Sequence, residues 1–232
     1  MKISRTSLIP ATILMTIMLA CSAIPKIIST PAPLPTSTPL PSPTPSPGDI
    51  LFEEADFNRP SCFQSGGTGD VERFVKDGQF HMKINTPNII AWTLCENTPF
   101  SDFVIEADAT HVDGPDANAF GLVFRYDKRL DEFYNFSIGT DGYYTLTLDG
   151  LNNKEPQFIV DWATSPVIVT GKATNHLKVV VVGTRIEYFV NNQSFGEAVD
   201  SKLTTGDIGF FAGSFDEGGV HVSFDNVKIT RP

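Results

Sequence analysis

The residues of this chain best suited to holding a ligand are planar and aromatic: Arg125, Asn135 and Tyr143, with Trp92 and Trp162 as aromatic neighbours. A guanidinium and an amide offer planar polar groups for hydroxyls, and an aromatic ring offers a flat face to the C–H side of a pyranose. That pairing is the chemistry of sugar recognition. Each residue also has a purely structural reading. Trp92 shares a phase with Ile90 and Leu94, and Trp162 with Phe158 and Val160, so both indoles could be core. Arg125 could pair with Asp127 or Glu132 across a turn. A second set consists of hard oxygens. Asp113, Asp116 and Asn118 fall on one loop and Asp225 near the chain end, donors that suit a structural Ca²⁺. The same residue types are ordinary turn chemistry between strands. His81, His111, His176 and His221 lie far apart, with no acid or cysteine at metal spacing, and read as surface strand residues. No Gly-x-Ser-x-Gly elbow and no phosphate-cradling glycine loop is present.

The elements that must position these side chains are strands. Ala119–Tyr126, Phe133–Ile138 and Tyr143–Leu148 alternate apolar with polar or small residues, and the connectors 127–132 and 139–142 are turn chemistry. Read as a meander, one face carries Phe120, Leu122, Phe124, Tyr134, Phe136, Ile138, Tyr144, Leu146 and Leu148, a core. The other carries Val123, Arg125, Asn135, Ser137, Tyr143, Thr145 and Thr147, a wetted platform. Similar runs occur at Gln79–Ile84, Ile89–Cys95, Asp102–Val112, Gln157–Trp162, His176–Val182, Ile186–Val190, Gly206–Gly213 and Gly219–Thr230. About a dozen strands without an amphipathic helix predict an all-β, two-sheet antiparallel β-sandwich of the jelly-roll kind. Asn191-Asn192 suits a tight hairpin turn. The phase change between Phe224 and Val227 predicts a bulge at Asp225-Asn226.

The N-terminal part reads as an address. Lys2 and Arg5 precede the uncharged run Leu8–Ala20, too short to span a bilayer as a stable helix and suited to an export signal. Met18-Leu-Ala-Cys21 resembles the lipobox of bacterial lipoproteins, in which the cysteine is lipidated. Ser22, rather than Asp, follows it and leans toward the outer membrane. From Pro31 to Pro47, prolines alternate with Ser, Thr, Ala and Leu, a polyproline II stalk of roughly 50 Å at ~3.1 Å per residue. The expected organisation is a signal at 1–20, a stalk at 21–48 and a β-sandwich at 49–232, anchored outside the cytoplasmic membrane.

Charge agrees with that address. The first 48 residues hold Lys2, Arg5 and Lys26 and no acid, so the remaining 14 basic residues face 27 acidic ones, a formal charge of −13. Such a surface repels phosphate backbones and excludes nucleic acid as a natural partner. Cys62 and Cys95, the only cysteines after Cys21, are expected to pair in an exported domain.

Phe103-x-Ile-Glu-Ala-Asp108, Gly121-Leu-Val-Phe-Arg125, Phe133-Tyr-Asn-Phe136, Asp141-Gly-Tyr-Tyr144, Asn175-His-Leu-Lys-Val179, Tyr188-Phe-Val-Asn-Asn192, Gly206-x-Ile-Gly209 and Phe224-Asp-Asn226 follow in order. The succession resembles the concanavalin A-like lectin/glucanase superfamily, in the branch with the 3-keto-disaccharide hydrolase domain and laminin-G-like modules. It implies a sandwich over about residues 51–230 and leaves function open among lectins, binding modules, glycosidases and adhesion domains. Laminarinase-type members carry Glu-x-Asp-x-Glu on one strand, a retaining pair at ~5–5.5 Å. Here Glu106 and Asp108 share a face, but Thr110 and His111 stand where the second Glu would be, so the general acid is missing. The two acids are kept among the candidate ligand-binding residues; structurally they read as the solvated side of a strand. The expectation is a non-catalytic module for a glycan or glycoconjugate. The alternatives are a hydrolase of glycans or keto-disaccharides, and a cell-surface protein–protein module.

Overall fold

Fifteen antiparallel strands account for nearly all regular structure in the computed structural model, which describes residues 46–58, 61–151 and 155–232. The export segment, Cys21 and the stalk up to residue 45 lie outside the described residues. The strands are β1 (Ile50–Glu54), β2 (Gly66–Thr68), β3 (Val71–Lys76), β4 (Gln79–Ile84), β5 (Ile90–Phe100), β6 (Phe103–Asp113), β7 (Asn118–Asp127) and β8 (Glu132–Ile138), followed by β9 (Tyr143–Gly150), β10 (Gln157–Thr164), β11 (Thr174–Val182), β12 (Arg185–Val190), β13 (Gln193–Val199), β14 (Gly206–Ser214) and β15 (Val220–Thr230). They form two sheets. The nine-stranded sheet runs β13-β12-β11-β6-β15-β4-β3-β2, with β1 also paired to β15. The six-stranded sheet runs β10-β9-β8-β7-β14-β5. No described residue is helical, and the β-sandwich read from the alternation is the observed fold.

Alternation explains why the sheets stack. Phe120, Leu122 and Phe124 of β7, Tyr134, Phe136 and Ile138 of β8, Leu146 and Leu148 of β9, and Ile208, Phe210 and Ala212 of β14 are buried in one core. They face Phe80, Met82, Ile105, Val179, Val222 and Phe224 of the larger sheet. Phe210 stacks on Phe224 across the sandwich with centroids 4.2 Å apart, and Phe63 stacks on Phe210 at 4.4 Å. The Cys62–Cys95 disulfide closes a 33-residue separation, worth about 4 kcal/mol on loop-entropy grounds, and holds Phe57 and Phe63 inside that core. Asn191 and Asn192 both take positive φ (51° and 65°) in the β12–β13 turn, as a type I′ hairpin requires. The expected bulge is a register shift between Asp225 and Lys228, with Asn226 at φ 51°.

The histidines depart from the surface reading. His111 is 1% exposed and faces the core in phase with Ala107 and Ala109. His81 is also buried, and its Nδ1 lies 2.9 Å from Nε2 of His221 on the outer face of the larger sheet. Burial, together with neighbouring His81 and Lys83, pushes His221 down to about 4, and burial lowers His81 as well. The folded state therefore binds fewer protons than the unfolded chain between these values and an ordinary histidine near 6.5. Stability present above pH 6.5 is lost as pH falls from there toward 4. Urea unfolding of the full chain at a series of pH values should show that decline, and His221→Gln should flatten it. An identical slope in the variant contradicts this assignment.

Candidate functional site

The outer face of the six-stranded sheet carries a cleft built from small and polar residues between aromatic walls. Its floor follows the second phase of the meander: Ala119 on β7, Asn135 and Ser137 on β8, and Thr145, Thr147 and Asp149 on β9. Ile90 of β5 with Phe211 and Gly213 of β14 make one wall. Phe158 and Trp162 of β10, with Pro156 and the loop residue Phe215, make the other. The cavity holds about 190 Å³, and Trp162 meets Phe215 edge-on at 6.2 Å. A shallower basin lined by Asn118, Asp141 and Tyr143 adjoins it, sharing Trp162 and Phe215. Tyr143 is 42% exposed there.

The floor is a connected polar network. The Ser137 hydroxyl donates to Asn135 Oδ1 at 2.7 Å, Asn135 Nδ2 donates to Asp149 Oδ2 at 3.3 Å, and the Thr147 hydroxyl donates to the same oxygen at 2.7 Å. Thr145 donates to the Val160 carbonyl at 2.8 Å, tying β10 to the floor. Asp149 Oδ1 accepts no hydrogen bond among the described residues, which leaves an acceptor at the cleft for a ligand hydroxyl. Burial raises the Asp149 carboxyl above its ordinary value, opposed by the bonds from Thr147 and Asn135.

The expected site residues divide. Asn135 and Trp162 line the main cleft, and Tyr143 lines the adjoining basin. Trp92 lies on the same face, so its phase with Ile90 and Leu94 points away from the core. It packs on Phe133 at 5.0 Å within a second apolar patch, containing Val123, Leu94 and Tyr126, that Phe211 joins to the cleft. Arg125 is a correction. It takes φ +52° where the β7–β8 register shifts between Phe124 and Asp127, and the bulge turns the side chain off the platform. At 1% exposure, its Nε and Nη2 donate to the Ser101 carbonyl and its Nη1 to that of Leu203. Glu106 and Asp108 are a second correction. They stand on the outer face of the other sheet, where Glu106 pairs with Lys178 at 3.0 Å and Asp108 is bonded to His176 and Asn226.

The calcium set is not assembled either. Asp113 is held by Lys172 at 2.7 Å, and the Asn118 side-chain oxygen accepts from the Thr140 amide at 3.3 Å. Asp116 accepts from the Thr140 hydroxyl at its main-chain carbonyl (2.8 Å) and through its carboxylate at 3.5 Å, whereas Asp225 stands opposite Asp108 in the β15–β6 pair. Among the described residues no group of three or more His, Cys, Asp or Glu is gathered to hold a metal ion. Sequence reasoning missed Asp149, Phe211 and Phe215. Asp149 continues the phase of Thr145 and Thr147, and Phe210-Phe211 on a strand must send one ring outward, so both signals were available.

No protein-family model and no curated protein matches the chain. Solved structures do. The carbohydrate-binding module CBM66 from Bacillus subtilis superposes with a TM-score of 0.57 at 21% identity, covering 73% of this chain and 96% of that one. A Bacillus subtilis protein with a galectin-like fold gives 0.59 at 12% identity, over 80% and 97%. The Bacillus licheniformis β-glucanase gives 0.54 at 12%, over 80% and 99%. At these identities the likeness establishes the fold alone, a jelly-roll β-sandwich.

Two substitutions separate site from scaffold. Asp149→Asn should raise the urea midpoint at pH 7.5 and leave it unchanged at pH 4, because a raised carboxyl weakens the fold as pH climbs through its folded value. A lower midpoint at pH 7.5 contradicts this. Arg125→Met, which strips the buried Leu203 carbonyl and the Ser101 carbonyl of their donor, should cost about 3 kcal/mol in the same assay. A loss under about 1 kcal/mol would return Arg125 to the surface.

Proposed function

We propose that this chain is a non-catalytic glycan-binding module, held outside the cytoplasmic membrane by a lipid on Cys21 and a proline-rich stalk. The observation that carries the reading is the cleft itself. Trp162, Phe158, Phe211 and Phe215 supply ring faces and edges for the apolar side of a sugar. Asn135, Ser137, Thr147 and Asp149 supply hydroxyl, amide and carboxylate partners beneath them. Two of the similar folds, the carbohydrate-binding module and the β-glucanase, belong to proteins named for glycans, which supports this ligand class. Placement in the branch with 3-keto-disaccharide hydrolase and laminin-G-like domains, like the lipid anchor, belongs to the proposal.

The hydrolase alternative finds less support in the geometry. Glycoside hydrolysis commonly uses two carboxyls separated by ~5–9.5 Å. Asp149 is the single carboxylate among the described residues lining the main cleft, and Asp141 stands at the opposite end of β9. At ~3.3 Å per residue that strand separates them by roughly 20 Å. A surface-protein partner is the remaining alternative. The apolar patch around Trp92 is the feature that would serve it.

Pull-down of the full chain with insoluble polysaccharides, followed by calorimetry with the matching soluble oligosaccharide, is the test. Binding should weaken at least tenfold in Trp162→Ala and in Asp149→Ala, while Glu106→Gln leaves it unchanged. Retention by no polysaccharide removes the glycan reading. Binding that survives both cleft variants removes this site.

A further inference from the structure

We propose that His81 and His221 form a site for a late first-row divalent ion such as Ni²⁺, Cu²⁺ or Zn²⁺, on the outer face of the nine-stranded sheet. His81 sits on β4 and His221 on β15, adjacent strands, and His81 Nδ1 stands 2.9 Å from His221 Nε2. The other nitrogen of His81, Nε2, faces the Lys76 carbonyl at 3.2 Å. A carbonyl only accepts, so the hydrogen of His81 is on Nε2 and its Nδ1 lone pair points at His221. Fixing the far nitrogen of an imidazole on a backbone carbonyl is how metal-binding histidines are oriented.

The remaining step is local. With metal–nitrogen bonds of ~2.0–2.1 Å, tetrahedral ligands lie about 3.3 Å apart, so the two nitrogens part by a few tenths of an ångström and the rings, now directed at each other, tilt until their lone pairs meet at one point. His221 moves its ring hydrogen from Nε2 to Nδ1, and both lone pairs then converge without net release of a proton. Both imidazoles are held below the ordinary histidine range by burial and are neutral at pH 7, the form that ligates. Phe74 stacks on His81 at 5.1 Å and 4° and keeps the ring in place. Nearby charges are mixed. Lys83 lies over Phe74, Lys76 pairs with Asp77, and Asp113, opposite His221 in register, is bound to Lys172. Two protein ligands leave the other positions to water, and imidazole donors select the copper, nickel and zinc end of the series over Mg²⁺ or Ca²⁺.

The test uses the full chain without an added histidine tag. Thermal melts with and without Ni²⁺, and separately Ca²⁺, should show a rise of about 3 °C or more with nickel and none with calcium. His221→Gln should abolish it. In NMR spectra, substoichiometric Cu²⁺ should broaden the ring signals of His81 and His221 before those of His111 and His176, a readout that needs no variant. An unchanged melt overturns the proposal. So does a rise preserved in His221→Gln, or broadening that begins at His176 beside Asp108.

Discussion

The stack of Phe63, Phe210 and Phe224 is the contact on which the rest of the molecule turns. It links the disulfide-clipped segment, the six-stranded sheet and the nine-stranded sheet in a single column of rings. Because β14 is a strand, seating Phe210 in that column obliges Phe211 to stand on the opposite face. There it walls the cleft and touches the patch around Trp92. Core packing and site geometry are thus joined through two consecutive residues. Any change that tilts Phe210 moves the wall of the cleft.

The two outer faces have gone different ways. On the larger sheet, polar groups lock together: Lys178 with Glu106, His176 with Asp108 and Arg185 with Glu197 across strands, and Arg185 with Glu187 along β12. That face spends its polar groups on itself. On the smaller sheet the cleft keeps one carboxylate oxygen without a donor among the described residues and leaves Tyr143, Phe158 and Phe215 partly in water. Holding Asp149 there runs against burial, a local conflict of the sort expected where a surface is shaped for a ligand and not for its own stability.

Much of this was legible in the chain. The period of two in the meander assigned every residue of β8 and β9 to the correct face, but the outer face is not the wetted platform expected: Asn135, Ser137, Thr145 and Thr147 are buried beneath the cleft walls and only Tyr143 meets water. The Asn191-Asn192 turn and the bulge before Val227 were readable from residue type and phase. What failed did so for physical reasons. Apolar periodicity marks a face that avoids water without saying whether another sheet or a ligand covers it, so Ile90, Trp92 and Leu94 read as core although Ala91, Thr93 and Cys95 face inward. A bulge inverts phase with no compositional mark, and Arg125 followed it out of the platform. Strands β1, β2, β3 and β13 were not picked out; they are short, largely exposed, or rich in glycine and charge. Histidines far apart in sequence can still be strand neighbours, and spacing alone could not bring His81 to His221.

Two glycines on the outer face of the smaller sheet, Gly121 beside Phe211 and Gly209 between Val123 and Leu94, set how that face can change. An ideal Cβ on Gly121 would lie 2.0 Å from the Phe136 carbonyl oxygen, and one on Gly209 would lie 2.0 Å from that of Thr93. Adjacent backbones press together at both points, so any larger side chain must first push strands apart. The outer face therefore resists remodelling at these two positions. Strand β10, at the sheet's edge with one neighbour and two register irregularities, carries no such restriction. Drift in ligand preference over evolutionary time, or redirection by directed evolution, has its room along that rim, where Phe158 and Trp162 can be exchanged without disturbing the ladder beneath.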